Sequence, residues 1–207
     1  NDDPRVGFIH ENLSKINSQL QEVKSSLLVK KGTTFAVWES LLKEYDVKEV
    51  YFNKDYEPYA LQRDTVICEL LEKKNAVAYS FKDQVIFEEK EITKADGLPY
   101  TVYTPFKNKW LEKYKKMAPV VEYDSAATFS NLYKSDFIFP TLEQIGFQKS
   151  AIKVKDHNLE FIANYQDIRD FPALDQTSYL SPHLRFGTVS IRKLVNWAFH
   201  KNDVFLS

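Results

Sequence analysis

Apolar residues at steps of three or four mark the first element of this chain. Val6, Ile9, Leu13, Ile16, Leu20 and Val23 share one face, which predicts a helix from Pro4 to about Lys24. Asp3 supplies an N-cap and Pro4 a favoured first helical residue. Ser26-Leu27-Leu28-Val29, closed by Lys30-Lys31-Gly32, reads as a short buried strand. Thr33 or Thr34 caps a second helix to about Tyr45, with Val37, Trp38, Leu41 and Leu42 inward. Glu49-Val50-Tyr51-Phe52 predicts a second strand, and helical spacing returns through Val66, Ile67, Leu70 and Leu71. Residues 76–81 read as a third strand, followed by a shorter apolar run at Val85-Ile86-Phe87. Pro105 then opens a helix through Trp110 and Tyr114.

Strands alternating with helices of this length imply parallel strands joined by crossovers. The expected class is α/β, with a parallel Rossmann-like sheet, helices on both faces, and Leu28, Val50 and Val77 in strands. A further strand is expected before Pro4, where the sequence has none. Between about Lys116 and Phe147 the periodicity fails, with Pro119, Pro140 and scattered aromatics suggesting a linker over a surface. After Ala151 no strand pattern returns, and residues 159–165 and 190–199 look helical. The expected organisation is an α/β domain over 1–115, a linker over 116–150 and the start of a helical domain over 151–207.

Charge narrows the function. With 28 Lys and Arg against 29 Asp and Glu, the net charge is −1, so bulk charge alone does not drive nucleic-acid binding. Cys68 is the only cysteine, which excludes an intrachain disulfide and a cysteine-based zinc site. His10, His157, His183 and His200 show no metal-ligand spacing, so no metal is expected. No apolar run approaches the length of a membrane span, and no targeting segment is expected at Asn1. Neither a G-x-G-x-x-G nor a Walker loop is present, which argues against a standard dinucleotide fold or P-loop enzyme.

The densest chemistry lies in YQDIRDFPALDQTSYLSPHLRFGTVSIR, residues 165–192. Thr177, Ser178 and Ser181 cluster before Pro182, which makes Ser181 a candidate N-cap with Pro182 as the first helical residue. Hydroxyls and free N–H groups at such a helix end suit phosphate oxygens, with Arg185 one turn on. A capped helix with a Ser/Thr turn fits the same spacing.

The run TSYLSPHLRFGTVSIR resembles the signature of the DNA photolyase/cryptochrome family, T-S-x-L-S-P-x-L-x-x-G followed by S and R. Three further segments agree in order: DPRVGFI at the start, NKDYEPYA with Arg63-Asp64, and PYTVYTPF with Trp110. The resemblance implies an N-terminal α/β domain followed by an all-helical FAD domain. It implies FAD contacts at Tyr165, Thr177, Ser178, Leu180 and Ser181, with Leu180 acting through its backbone. The alternative for Tyr165 is a core or interface tyrosine. Arg169 matches a position that contacts the DNA backbone, and its alternative is an ion pair with Asp167, Asp170 or Asp175. His183 reads as packing, Arg63-Asp64 as a buried structural pair, and the lysines at 107, 109, 113, 115 and 116 as a solvated helix face.

The function implied is a deoxyribodipyrimidine photo-lyase, in which reduced FAD absorbs blue light and splits cyclobutane pyrimidine dimers in DNA by electron transfer. Its rivals are a cryptochrome-type photoreceptor without repair, and an α/β nucleotide-binding module outside the family. An antenna chromophore is also implied. Gly97, Leu98 and Pro99 stand where some folate-binding members carry an acidic side chain, which points away from folate and leaves a deazaflavin or no antenna. The resemblance further implies a cytoplasmic protein, monomeric at full length, with pyrimidine-dimer DNA as partner and no membrane. The family's remaining flavin contacts would lie beyond Ser207. The chain by itself is therefore expected to hold no stoichiometric FAD and to show no repair. Leu184, Val189, Leu194 and Trp197 are expected to be exposed.

Overall fold

The computed structural model describes residues 1–117 and 119–206. The chain divides into two compact units. One comprises Asn1–Phe81 and Asp124–Val154, the other Lys82–Tyr123 and Lys155–Ser207. The contacts thus group the chain differently from the expected 1–115, 116–150 and 151–207. Among the described residues no helix is long and apolar enough to cross a membrane.

In the first unit, helix α1 spans Pro4–Glu22, helix α2 Thr34–Glu44 and helix α3 Pro58–Glu72. Strands β1 (Glu49–Asn53) and β2 (Val77–Phe81) pair in parallel, with Val50 opposite Ala78 and Tyr51 opposite Tyr79. Asp3 caps α1 by accepting from the Arg5 N–H at 2.9 Å, and Thr33 caps α2. Asn75, at φ +58°, lets the chain leave α3 and enter β2, a conformation asparagine tolerates better than most residues. Ile67 and Leu71 of α3 pack with Ala76 against Trp38 and Leu42 of α2 and against Val50 and Ala78 of the sheet.

The α/β class and the parallel pairing agree with the sequence pattern. Three details differ. The helices α2 and α3 cover one sheet face only. On the other, Tyr51, Tyr79 and Phe81 stack on one another and stay 62%, 38% and 51% exposed. Helices on both faces are therefore not found among the described residues. Leu28 is not in a strand, because Ser25 and Ser26 bond instead to residues 133–137 through their hydroxyls. On α1, the buried residue is Asn17, whose side-chain oxygen accepts the Leu27 N–H at 2.9 Å, while Ile9, Leu13 and Ile16 are exposed. Val6, Leu20 and Val23 of the same stripe are half-buried.

The second unit contains helix α4 (Tyr103–Met117), a 3-10 turn at Glu160–Asn164, and helices α5 (Tyr165–Ile168), α6 (Leu180–Arg185), α7 (Ile191–Phe199) and α8 (Asp203–Leu206). Its core joins Tyr114 of α4 and Val195 of α7 to Ile86, Phe87, Ile92 and Val120 from irregular segments. Asn196 binds these together. Its side-chain oxygen accepts from the Tyr114 hydroxyl and the Val120 N–H, both at 2.9 Å, and its amide donates to the Val120 carbonyl at 2.8 Å. Of the four apolar residues expected to be exposed, Leu184 is exposed, Val189 and Trp197 are half-buried, and Leu194 is buried by its place on the inner face of α7.

Candidate functional site

Residues 165–192 all lie in the second unit. Tyr165 opens α5 with its ring half-buried and edge-on to Phe205 of α8, centroids 5.1 Å apart. Asn202 fixes that arrangement. It donates to the Ile162 carbonyl at 2.8 Å and accepts from the Val204 and Phe205 N–H groups. Tight turns at Ile168–Phe171, Phe171–Leu174 and Leu174–Gln176 then lead to Thr177.

Ser181 is not the N-cap that the sequence suggested. Helix α6 begins at Leu180, its N-cap is Tyr179 at φ +52°, and no side chain caps it. Ser181 and Pro182 are therefore inside the first turn. A left-handed tyrosine is a strained backbone position. The Tyr179 side chain is held at its far end, where the hydroxyl meets both the Asp175 carboxylate and the Lys155 ammonium, the latter at 2.7 Å. Lys155 Nζ also sits 4.3 Å from the Tyr179 ring centroid.

The hydroxyls of Thr177, Ser178 and Ser181 have no hydrogen-bond partner among the described residues, while Leu180 between them is buried at 5% exposure. The buried leucine fixes the backbone, and Thr177 and Ser181 on either side of it are exposed. That set of neutral donors suits phosphate oxygens and needs no glycine-rich approach. It fits a flavin diphosphate without the helix end that the sequence suggested, since α6 has only 6 residues. Tyr165 is not in polar contact with these hydroxyls among the described residues.

Arg169 is exposed, with Nε 3.7 Å from the Asp170 carboxylate, too long for a hydrogen bond. That contact is the ion pair the sequence offered as the alternative role, and both partners are largely exposed. His183 is buried, as the packing expectation required, but both ring nitrogens are engaged. Arg63 and Asp64 form a 2.7 Å pair that is half-buried. Cys68 is a poor nucleophile, because burial and then the Asp64 charge push its thiol up. An apolar cavity of about 360 Å³ in the same unit is lined by Ile86, Phe87, Ile92, Trp110 and Val195. It is also bordered by Gln84, Glu88 and Glu89 and contains none of the hydroxyl-turn residues.

Sequence reasoning missed the segment 155–158. Asn158 donates its N–H to the Ser178 carbonyl at 2.9 Å, and Lys155 reaches Tyr179. The one local signal was Asn158-Leu159-Glu160, an Asx turn in which the asparagine side chain accepts the Glu160 N–H at 2.8 Å.

The sequence profile of the DNA photolyase family matches residues 2–123. The chain is 30% identical over 203 residues to a deoxyribodipyrimidine photo-lyase of Halobacterium salinarum, covering 91% of this chain and 42% of that protein. Among solved structures it is similar to a class III photolyase of Agrobacterium tumefaciens, with TM-score 0.64 and 21% identity, covering 95% of this chain and 45% of that one. It is similar also to an archaeal photolyase of Sulfolobus tokodaii, with TM-score 0.66 and 19% identity, covering 100% and 46%; that protein was solved with two FAD molecules. The solved structures establish a shared fold. The chain spans less than half the length of the curated photo-lyases it matches.

Proposed function

The chain belongs to the DNA photolyase family, and from that membership we propose that it serves light-driven repair of cyclobutane pyrimidine dimers as a deoxyribodipyrimidine photo-lyase with FAD. The observation that carries this reading is the turn at 177–181, where three hydroxyls without a partner among the described residues flank a buried leucine. Thr177, Ser178 and Ser181 would donate to the FAD diphosphate, Leu180 would hold the backbone, and Tyr165 would border the cofactor. When bound and reduced, FAD supplies the light-excited electron. The protein residues bind and orient it. Arg169 would meet a DNA phosphate, positioning the duplex without reading sequence. Gly97, Leu98 and Pro99 offer no carboxylate, which supports a deazaflavin antenna or none in place of folate.

The test is a repair assay on the complete gene product with a thymine-dimer oligonucleotide under blue light. Light-dependent loss of the dimer is expected. Flavin photoreduction without dimer splitting would overturn the repair reading. Arg169→Ala is expected to weaken binding to damaged and undamaged DNA by similar factors, and to lower the salt slope by about one unit. Unchanged DNA affinity with altered stability would assign Arg169 to the pair with Asp170.

A further inference from the structure

His183 is the one buried histidine among the described residues, at 7% exposure. Its Nε2 lies 3.0 Å from the Lys155 carbonyl. A carbonyl only accepts, so Nε2 carries the proton. In the neutral ring Nδ1 is then the acceptor, and the Thr188 hydroxyl donates to it at 2.8 Å. The Thr188 N–H returns to the His183 carbonyl at 3.0 Å, closing a turn through Gly187, whose φ of +65° favours glycine. His157 meets the imidazole edge-on at 5.1 Å.

Residues 155–158 therefore run beside residues 178–183 with a tie at each end. At one end the imidazole holds the Lys155 carbonyl. At the other the Asn158 N–H holds the Ser178 carbonyl. Ser178 and Ser181 sit within that doubly tied stretch. An apolar side chain at 183 would fill the same space but leave the Lys155 carbonyl without this donor.

We propose that His183 is a positioning residue: its imidazole locks residues 155–158 onto α6, and the lock fixes Ser178 and Ser181 for the FAD diphosphate. The role toward FAD rests on the flavin function proposed above; the lock itself does not.

The experiment compares the complete gene product with its His183→Phe and His183→Gln variants. Phenylalanine keeps the ring volume and removes both hydrogen bonds. Glutamine keeps a donor for the Lys155 carbonyl. Amide hydrogen exchange and FAD titration of the apoprotein are read on each. His183→Phe is expected to speed exchange at the Asn158 amide and to weaken FAD binding, each by roughly tenfold, the effect of losing the bond to the Lys155 carbonyl. Exchange in α4 is expected to hold, and His183→Gln to recover most of both losses. Unchanged exchange at Asn158 would overturn the lock. Acceleration spread equally through α4 would overturn it too, as the mark of general packing. Local loosening with FAD affinity intact would overturn the positioning role and leave the flavin reading standing. A wild-type protein that binds no FAD, with the local effect present, would refute the role toward FAD and support the lock.

Discussion

The two units differ in how much regular structure they contain. In the first, α2 and α3 press apolar residues onto one face of a parallel strand pair, and side-chain ties from Asn17, Ser25 and Ser26 are confined to the irregular residues 25–27 and 133–137. In the second, the segments that build the core are largely irregular, and polar side chains tie them. Asn196 joins Val120 to Tyr114, Asn202 joins α8 to the 3-10 turn, and His183 joins residue 155 to α6. A regular element satisfies its own backbone groups, so its side chains are free to be apolar. An irregular segment must find partners for its backbone elsewhere, and a buried amide or imidazole provides them. The candidate site lies in the unit of the second kind.

The sharpest contrast is within the first unit. Leu71 is fully buried against one sheet face, while Tyr51 on the other is largely exposed. Leu71→Ala is expected to cost about 3 kcal/mol in urea unfolding, from lost transfer energy and the cavity left behind. Tyr51→Ala should cost about 1 kcal/mol or less, the worth of a stacked aromatic pair. Equal losses would mean that both faces are covered in solution.

In the second unit, Asn196→Leu removes the partner of the Val120 N–H and of the buried Tyr114 hydroxyl together. A loss of about 2 kcal/mol is expected. A neutral result would show that the apolar packing of α4 and α7 suffices without the amide.

A smaller pair of variants tests the reassigned helix start. Ser190 caps α7 by accepting from the Lys193 N–H, so Ser190→Ala should cost about 1 kcal/mol. Ser181 caps nothing, so Ser181→Ala should stay within about 0.5 kcal/mol of wild type. The reverse order would restore the cap that the sequence suggested.

The smallest effect is electrostatic. Burial raises the Glu91 carboxyl, but hydrogen bonds from Lys82 and the Glu88 N–H, with the Lys113 charge, bring it below its ordinary value of 4.5. A lowered carboxyl stabilises the fold above its unfolded value and loses that contribution as pH falls through its native one. Stability should decline below about pH 4.5 in wild type and decline less steeply in Glu91→Gln. Parallel curves would remove Glu91 from the acid response.

What could be read from the sequence follows the same division. Helices α1 to α4 and strands β1 and β2 were legible from apolar spacing, with the caps Asp3 and Thr33 marking the starts of α1 and α2. The strand expected at Leu28 was not formed, since the serines that flank it bond to residues 133–137, and no local pattern announces a partner so distant in sequence. At the site, the hydroxyls were visible as a cluster and their family match was visible as a motif. The helix start at Leu180 was not, because it depends on a left-handed tyrosine held by Lys155 and Asp175. The roles of Asn196, Asn202 and His183 were likewise hidden. Each acts through one hydrogen-bonding reach across the fold, and a single polar residue has no period.

The central claim is that the turn at 177–181 is a flavin diphosphate seat. Its most direct measurement is FAD titration of the complete gene product against the double variant Ser178→Ala, Ser181→Ala, with urea unfolding of both. The account predicts near one equivalent of FAD in wild type. In the variant it predicts affinity down about a hundredfold, at roughly one order per lost donor, and a nearly unchanged unfolding midpoint. Full flavin occupancy in the double variant would contradict it.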